Sequence, residues 1–223
     1  MIIKSGGHME KLAGIDTMVF DKTGTLTHGT PAVIDVISYQ KYITPNHLLG
    51  LAAAAETKLQ HPVAEALRSR ARQLAVNIPP CNETTYRLGL GVEGQVNGYY
   101  VHVGNQRFMR QSEIIVDAAV HDRAALDERG YSSLYIAVDG KLAGLVPYSD
   151  EIREESRPVI QRLHELGVKN SIMLTGDNAR TGQAIGRKLG IEVKADLLPE
   201  NKLSEIAALK VGAPVAMVGD GIN

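Results

Sequence analysis

The sequence predicts an α/β unit built on a parallel sheet, interrupted by a second unit of the α+β class with an antiparallel sheet. Two observations lead to this prediction. Residues 1–32 and 147–223 show short apolar strands that alternate with helical segments, the order that builds a parallel sheet. Residues 33–146 begin with two helical segments and continue with alternating segments around tight turns, which is typical of hairpins.

Polar side chains follow the apolar strands of the first unit. In chain order, its predicted elements are strand 17–20, helix 154–166, strand 171–174, helix 179–189, a helix from Pro199 to about Lys210, and strand 214–218. Ligands of such sheets bind outside the carboxyl ends of the strands. Asp21, Thr175, Asp177 and Asp220 all fall at these ends, so we expect them to share one edge of the sheet.

The second unit has strong turn and helix-start signals. Pro45 and Pro62 each stand where a first helical turn would begin, a position that proline favours. The later elements are a hairpin over 92–103 around Asn97-Gly98, a helix over 116–129 closed by Gly130, and a hairpin over 134–145 around Asp139-Gly140. Asn-Gly and Asp-Gly are strong hairpin-turn signals.

The composition excludes several classes of protein. The 223 residues are 44% hydrophobic and 22% charged, with a formal net charge of −1, so we expect a folded chain without a nucleic-acid partner. The only cysteine, Cys81, excludes an internal disulfide and fits a reducing compartment. The longest apolar run, 48–55, is short of the roughly 20 residues of a spanning helix. We expect a soluble fragment, cut where the chain ends after an apolar strand.

The residue types at the predicted edge suit phosphoryl transfer. An aspartate can attack a phosphoryl group when neighbouring cations offset the charge, and Asp21 stands where a strand emerges. Asp220 can share Mg²⁺ with it, while Thr175 and the Gly176 amide can bind phosphoryl oxygens. Lys202 can supply a fixed positive charge. A lone aspartate at a strand end more often caps a loop, but the combination favours a catalytic site.

Three strings carry a resemblance to a known family: DKTGTLT from Asp21, TGDN from Thr175 and GDGIN from Gly219. They resemble the P-type ATPases of the haloacid dehalogenase superfamily. Residues 33–146 are similar to the nucleotide-binding domain of the heavy-metal-transporting branch, with Glu56 five residues before His61-Pro62. The resemblance covers essentially the whole chain and implies a haloacid dehalogenase-like phosphorylation domain interrupted by a nucleotide-binding domain.

The resemblance also implies roles for individual residues. ATP would phosphorylate Asp21, and Asp21, the Thr23 carbonyl and Asp220 would hold Mg²⁺. The other implied residues are Thr23, Thr175, Gly176 and Lys202 for the phosphoryl group, Asp177 and Asn178 for the cleft between domains, Asp150 and Arg153 as a hinge pair, and Glu56, His61, Gly89, Gly91, Gly104 and Asn105 for the adenosine part of ATP.

The implied parent protein spans a membrane, with this fragment on the cytosolic side. Its other parts would be transmembrane helices and an actuator domain, and its cargo a transition-metal ion, with copper favoured slightly over zinc, cadmium or cobalt. Two departures from the family pattern stand out. The chain stops at Asn223, before the aspartate that continues GDGIN, so we expect poor turnover; Leu59-Gln60 replaces a common Ser-Glu.

Thr23 separates this interpretation from a phosphatase. In soluble phosphatases of the superfamily the motif has the form DxD, and its second aspartate acts as general acid and base. Here Thr23 fills that position, so an aspartyl phosphate should persist. The alternatives are a stand-alone phosphatase with a large cap and a catalytically idle nucleotide-binding module. The GxGxxG string at 89–94 does not predict a dinucleotide site, because a hairpin strand follows it rather than a helix.

Overall fold

The structure, a computed structural model, describes residues 6–210 and 214–219. It divides into two compact units. Unit 1 consists of Met1–Gly29 with Glu151–Asn223, and unit 2 of Thr30–Asp150. The units part at 29/30 and 150/151, whereas the sequence places domain limits at 32/33 and 146/147.

Most of the helices lie where the proline and glycine signals predict them. They are α1 (Gly6–Ala13), α2 (Pro45–Ala55), α3 (Pro62–Gln73), α4 (Gln106–Gln111), α5 (Val120–Glu128), α6 (Ser156–Glu165), α7 (Ala179–Leu189) and α8 (Pro199–Leu209). The predicted helix over 116–129 is shorter, because Asp117–Ala119 forms a separate 3₁₀ turn. Among the described residues, no helix has the length and apolarity needed to span a bilayer.

The strands form two sheets of different kinds. They are β1 (Thr17–Asp21), β2 (Ala32–Val33), β3 (Ile37–Ser38), β4 (Cys81–Arg87), β5 (Gly91–Val96), β6 (Tyr99–Gly104), β7 (Ser132–Val138), β8 (Lys141–Ser149), β9 (Asn170–Leu174), β10 (Glu192–Lys194) and β11 (Val215–Val218).

Unit 1 contains the parallel sheet, in the order β10-β9-β1-β11. Its two central strands, β1 and β9, are mostly buried, as expected for a sheet covered by helices. Phe20 and Met173 pack with α6 and α7 on one face, while Val19 and Ile172 pack with Ile206 of α8 on the other. The predicted fold class of this unit is confirmed.

Unit 2 contains the antiparallel sheet, in the order β2-β8-β7-β6-β5-β4, with β3 also paired to β8. One face packs on α2 and α3 through residues such as Val92 and Leu48. The other face packs through Tyr135 on Phe108 of α4. Both predicted hairpins form, and Asn97 takes the left-handed φ of 50° that such a turn requires.

Two segments of unit 1 run side by side where the chain leaves this unit and returns to it. Thr27 and Ile152 form an antiparallel bridge. The His28 N–H donates to the Glu151 carbonyl at 3.0 Å, and the Arg153 N–H to Leu26 at 3.0 Å. The insertion therefore begins and ends at adjacent points.

Candidate functional site

The carboxyl edge of the parallel sheet carries the first group of functional side chains. Asp21 is the last residue of β1 and lies opposite Leu174 of β9. Its side chain is 2% exposed. The chain then turns over Lys22–Leu26, where Gly24 takes a φ of +76°, a left-handed value that glycine adopts readily. The fold thus places a buried carboxylate directly before a sharp turn.

Lys202 neutralises this carboxylate. Helix α8 begins at Pro199, which suits a first helical position, and the Asn201 side chain accepts a hydrogen bond from Leu198 N–H at 3.3 Å. Lys202 lies in the first turn of α8, with Nζ 2.5 Å from Asp21 Oδ1. An ammonium group held here can offset the negative charge of an incoming phosphoryl group.

A second ion pair lies at the same edge. Lys22 Nζ is 2.6 Å from Asp177 Oδ2, and these side chains are 11% and 13% exposed. The Thr175 hydroxyl donates to the same Asp177 oxygen at 3.1 Å, so the predicted phosphoryl contact of Thr175 stays a prediction. Lys22 was not predicted as a site residue, although its position directly after Asp21 was a signal. Each of these two pairs joins one carboxylate to one ammonium group.

The turn after Asp21 is held by an arginine. Arg153 donates from Nε to the Thr27 carbonyl at 3.0 Å and from Nη2 to the Gly24 carbonyl at 3.3 Å. Charged donors of this kind form stronger hydrogen bonds than neutral ones. Asp150, which the resemblance names with Arg153, accepts a hydrogen bond from Thr30 N–H in unit 2.

Asn178 begins helix α7. Its Oδ1 accepts hydrogen bonds from Arg180 N–H at 3.0 Å and Thr181 N–H at 3.1 Å. Asp196 Oδ2 caps the same helix by accepting from Ala179 N–H at 3.2 Å. Because helix starts leave backbone donors unsatisfied, these two side chains fix the loop that carries Asp177. A ligand contact of Asn178 stays a prediction.

The oxygen donors near Asp21 suit Mg²⁺. The Asp21 carboxylate and the Thr23 carbonyl are hard oxygen ligands, and Mg²⁺ usually takes only one or two carboxylates and keeps several waters. Asp220, the third predicted ligand, lies outside the described residues. Within the described ranges, no group of three or more His, Cys, Asp or Glu residues could hold a metal ion. The donor chemistry fits a magnesium ion that fills its shell with water and phosphate oxygens.

Unit 2 holds a second group of functional side chains, in the turn between α2 and α3. His61 caps α3, because its Nδ1 accepts from Ala64 N–H at 3.3 Å. The other ring nitrogen, Nε2, lies 3.1 Å from Glu56 Oε2. Glu56 is 2% exposed, and its Oε2 accepts no hydrogen bond from the described residues. A buried acceptor of this kind can receive an N–H from a ligand.

The predicted glycines have two different reasons to be glycine. Gly89 has a φ of +71°, and a Cβ there would meet nothing within 4 Å, so this turn leaves space for a ligand. Gly91 and Gly104 face each other across β5 and β6. A Cβ at Gly91 would clash first with the Val103 carbonyl oxygen, and one at Gly104 with the Leu90 carbonyl oxygen. Both would also meet Phe108 Cδ1, at 2.9 Å and 2.7 Å. The close approach of the neighbouring backbone, with Phe108 beside it, therefore accounts for these two glycines.

Asn105 ties the Gly89 turn to helix α4. Its Nδ2 donates to the Gly89 carbonyl at 2.8 Å, and its Oδ1 accepts from Phe108 N–H at 2.9 Å. Both ends of the amide group are thus engaged with the protein. We infer that Asn105 fixes the open turn at Gly89, and a direct ligand contact of Asn105 stays a prediction.

A buried charged cluster lies beside Phe108. Glu93 accepts from Arg87 Nη2 at 2.7 Å and lies 3.4 Å from His102 Nε2. The His102 ring centroid is 5.6 Å from that of Phe108. Burial lowers the pKa of His102 below its usual value, although Glu93 opposes this effect. The His102 ring is therefore neutral near pH 7.

Comparisons with known proteins match both units of the chain. A family model described as "haloacid dehalogenase-like hydrolase" matches residues 15–223. The whole chain is 39% identical to part of the copper-exporting P-type ATPase of Bacillus subtilis and 36% identical to part of the cadmium-transporting ATPase of Staphylococcus aureus. It covers 28% and 32% of these relatives, so it spans about a third of their length or less.

A solved structure extends the similarity to three dimensions. The catalytic domain of the CPx-ATPase CopB-B, in a study of its conformational changes upon nucleotide binding, matches 99% of this chain at a TM-score of 0.73 and 28% identity. The match covers 80% of that domain. One known domain structure therefore contains counterparts of both units.

Proposed function

The chain belongs to the haloacid dehalogenase-like hydrolase family, and from this premise we propose that it is the cytosolic catalytic part of a heavy-metal-transporting P-type ATPase. Its activity is to bind Mg-ATP and transfer the γ-phosphoryl group to Asp21. The observation that carries the proposal is the buried Asp21 carboxylate, 2.5 Å from Lys202 at the carboxyl edge of the parallel sheet. Similarity to parts of copper- and cadmium-transporting ATPases supports it.

The transfer step needs a nucleophile and a way to offset charge. An Asp21 carboxylate oxygen attacks the γ-phosphorus of ATP, a P–O bond forms, and the bond to the β–γ bridging oxygen breaks so that ADP leaves. Lys202 offsets the charge around the transferring group, and the Lys22–Asp177 pair keeps the neighbouring carboxylate from repelling it.

Thr23 explains why the phosphorylated residue would accumulate. It is exposed and follows Asp21 by two positions, where a phosphatase would have a general base. A threonine hydroxyl does not activate water at neutral pH, because it stays protonated and is too weak a base to accept a proton from water. We therefore expect the aspartyl phosphate to persist until another domain hydrolyses it, which a transport cycle requires.

Asp21 and the Thr23 carbonyl, with Asp220, would hold Mg²⁺. When bound, the ion would supply positive charge to the phosphate oxygens and help orient them. The Glu56–His61 turn and the Gly89 turn of unit 2 would bind the adenosine part of ATP. Glu56 Oε2, a buried acceptor, suits the amino group of a purine ring.

The parent protein is proposed to carry transmembrane helices and an actuator domain, with this part on the cytosolic side. Its cargo would be a transition-metal ion. The relatives named above differ in their metals, copper in one case and cadmium in the other, so the proposal commits to the class of cargo, with a preference for copper.

Labelling with γ-³²P-ATP tests the proposal. We expect an acid-stable, hydroxylamine-sensitive phosphoprotein that disappears in Asp21→Asn and remains in Asp16→Asn, which changes a partly exposed aspartate paired with Lys169. Phosphate release should stay below about 1 per second. No label in the wild-type chain would contradict the transfer to Asp21. Rapid hydrolysis of p-nitrophenyl phosphate, lost in Asp21→Asn, would favour a phosphatase instead.

A further inference from the structure

Arg68 fixes the backbone of the turn that carries Glu56 and His61. It reaches back from the second turn of α3, and its Nη1 donates to the Glu56 carbonyl at 2.8 Å and to the Leu59 carbonyl at 3.1 Å. Carbonyls at the end of a helix lack partners within that helix. One guanidinium group therefore satisfies two backbone acceptors in the turn.

The guanidinium group is itself held in place. Nε and Nη2 of Arg68 both donate to Glu65 Oε2 at 3.1 Å, and the Arg68 side chain is only 18% exposed. Glu65 also accepts from Arg72 at 2.5 Å. Hydrogen bonds from Arg72 and Arg68 lower the pKa of Glu65, so this anchor stays ionised. Arg68 thus links a charged anchor on α3 to the turn before it.

The geometry points to Arg68 as a positioning residue for nucleotide binding, acting through the backbone of the Glu56–Leu59 turn. This inference rests on the proposed function, because Glu56 and His61 are the groups it positions. The separation of Glu56 Oε2 and His61 Nε2, 3.1 Å, depends on the path of the chain between them. Arg68 sets that path from one side, and the cap of His61 on Ala64 sets it from the other.

Only arginine can make this set of contacts. Its planar group carries five N–H donors in a fixed fork, whereas lysine carries a single compact ammonium group. Arg68→Lys keeps the charge but cannot bond Glu65 twice and reach both carbonyls. Arg68→Gln removes the charge as well. Arg72 is a matched control, because it shares Glu65 but is 62% exposed.

ATP titration of the 223-residue chain in EDTA tests the inference. Loss of a charged hydrogen-bond donor predicts about tenfold weaker binding in Arg68→Gln, a smaller loss in Arg68→Lys and no change in Arg72→Gln. The ¹⁵N shifts of the His61 imidazole should move in both Arg68 variants without nucleotide, since the contact with Glu56 changes. Thermal midpoints identify variants that fail to fold, and Arg68→Lys serves if Arg68→Gln does not fold.

The outcomes separate the two proposals. If the wild-type chain binds ATP and folded Arg68 variants bind it equally well, the positioning role is wrong and the proposed function stands. Equal losses in Arg68→Gln and Arg72→Gln would also overturn it, because the effect would then come from α3 as a whole. If the wild-type chain shows no saturable ATP binding, the proposed nucleotide site is wrong, and the role of Arg68 with it.

Discussion

Asp21 in unit 1 and Glu56 in unit 2 are both buried carboxylates beside a nitrogen-containing side chain, but their partners differ. Asp21 meets the permanent charge of Lys202 at 2.5 Å. Glu56 meets the imidazole of His61, whose other nitrogen is occupied by the cap of α3. The first arrangement is balanced in charge, while the second leaves Glu56 Oε2 as an acceptor without a hydrogen-bond donor among the described residues.

Under the proposed function, this difference divides two tasks between the units. A transferring phosphoryl group develops negative charge, so its site needs fixed cations. A purine ring is uncharged and presents N–H donors, so its site needs a buried acceptor with free capacity and a backbone turn that leaves space. Unit 1 meets the first requirement, and unit 2 meets the second. Three predictions test this division, and a fourth tests the buried His102 of unit 2.

Removal of the Lys202 charge should have the largest effect. Lys202→Gln is expected to slow phosphorylation of Asp21 about 10²- to 10³-fold. It should also destabilise the fold by about 3 kcal/mol, because a buried ion pair loses one partner. Rapid-quench labelling and urea unfolding measure the two effects. Lys169→Gln is the control, since Lys169 is 70% exposed. Similar phosphorylation rates in the two variants would contradict the role of the Lys202 charge.

The glycines of unit 2 offer a sharper test. Gly104→Ala should lower the free energy of unfolding by about 1–3 kcal/mol, because the added methyl group meets the Leu90 carbonyl oxygen and Phe108. Gly89→Ala should cost only about 1–2 kcal/mol, through its left-handed φ, but should weaken ATP binding in the folded protein. Urea unfolding and ATP titration of both variants check this. A Gly104→Ala variant with full stability would contradict the packing explanation.

Replacement of His61 should act mainly on binding, with a cost in stability of about 1 kcal/mol for the lost cap of α3. His61→Ala is expected to weaken ATP binding in EDTA about tenfold, because it removes the cap of α3 and the neighbour of Glu56. Calorimetric titration without magnesium measures this effect. His121→Ala, at an exposed position of α5, should bind like the wild type. Unchanged binding in His61→Ala would favour an idle module.

The smallest expected effect is a pH dependence of stability that comes from His102. Burial lowers its pKa in the folded state, so the unfolded chain binds the proton more readily. The contribution of His102 to the free energy of unfolding is therefore complete above its unfolded pKa of about 6.5. It is lost as the pH falls from there towards the lower pKa of the folded state. The slope from this group is at most about 1.4 kcal/mol per pH unit. Unfolding between pH 7 and 5 should show a smaller slope in His102→Gln.

The sequence predicted those elements that local chemistry determines. Helices α2 and α3 begin at Pro45 and Pro62, and α7 ends at Gly190, which has a φ of 75°. The turns at Asn97-Gly98 and Asp139-Gly140 form hairpins, because these residues accept the left-handed backbone that a two-residue turn needs. In each case the signal lies within a few residues of its effect.

Other features depend on distant contacts or weak patterns. Strand β4 was not predicted, because it is an edge strand with mostly exposed side chains and so lacks apolar alternation. The pairing of Lys22 with Asp177 joins residues 155 positions apart, which no local pattern indicates. The packing role of Gly91 and Gly104 was likewise hidden, because it depends on the close approach of neighbouring backbone and on Phe108 of α4, a short helix absent from the sequence-based prediction.

The Thr27–Ile152 bridge, with its flanking hydrogen bonds, has a consequence for modularity. Adjacent antiparallel segments can be joined by a turn of a few residues, and domain insertion succeeds at such surface positions. A variant in which a short turn replaces residues 30–150 should therefore keep its parallel sheet. Conversely, a different binding domain whose termini lie close together could be grafted at the same place. Under the proposed function, this insertion point would allow the specificity of nucleotide binding to evolve separately from the phosphorylation of Asp21.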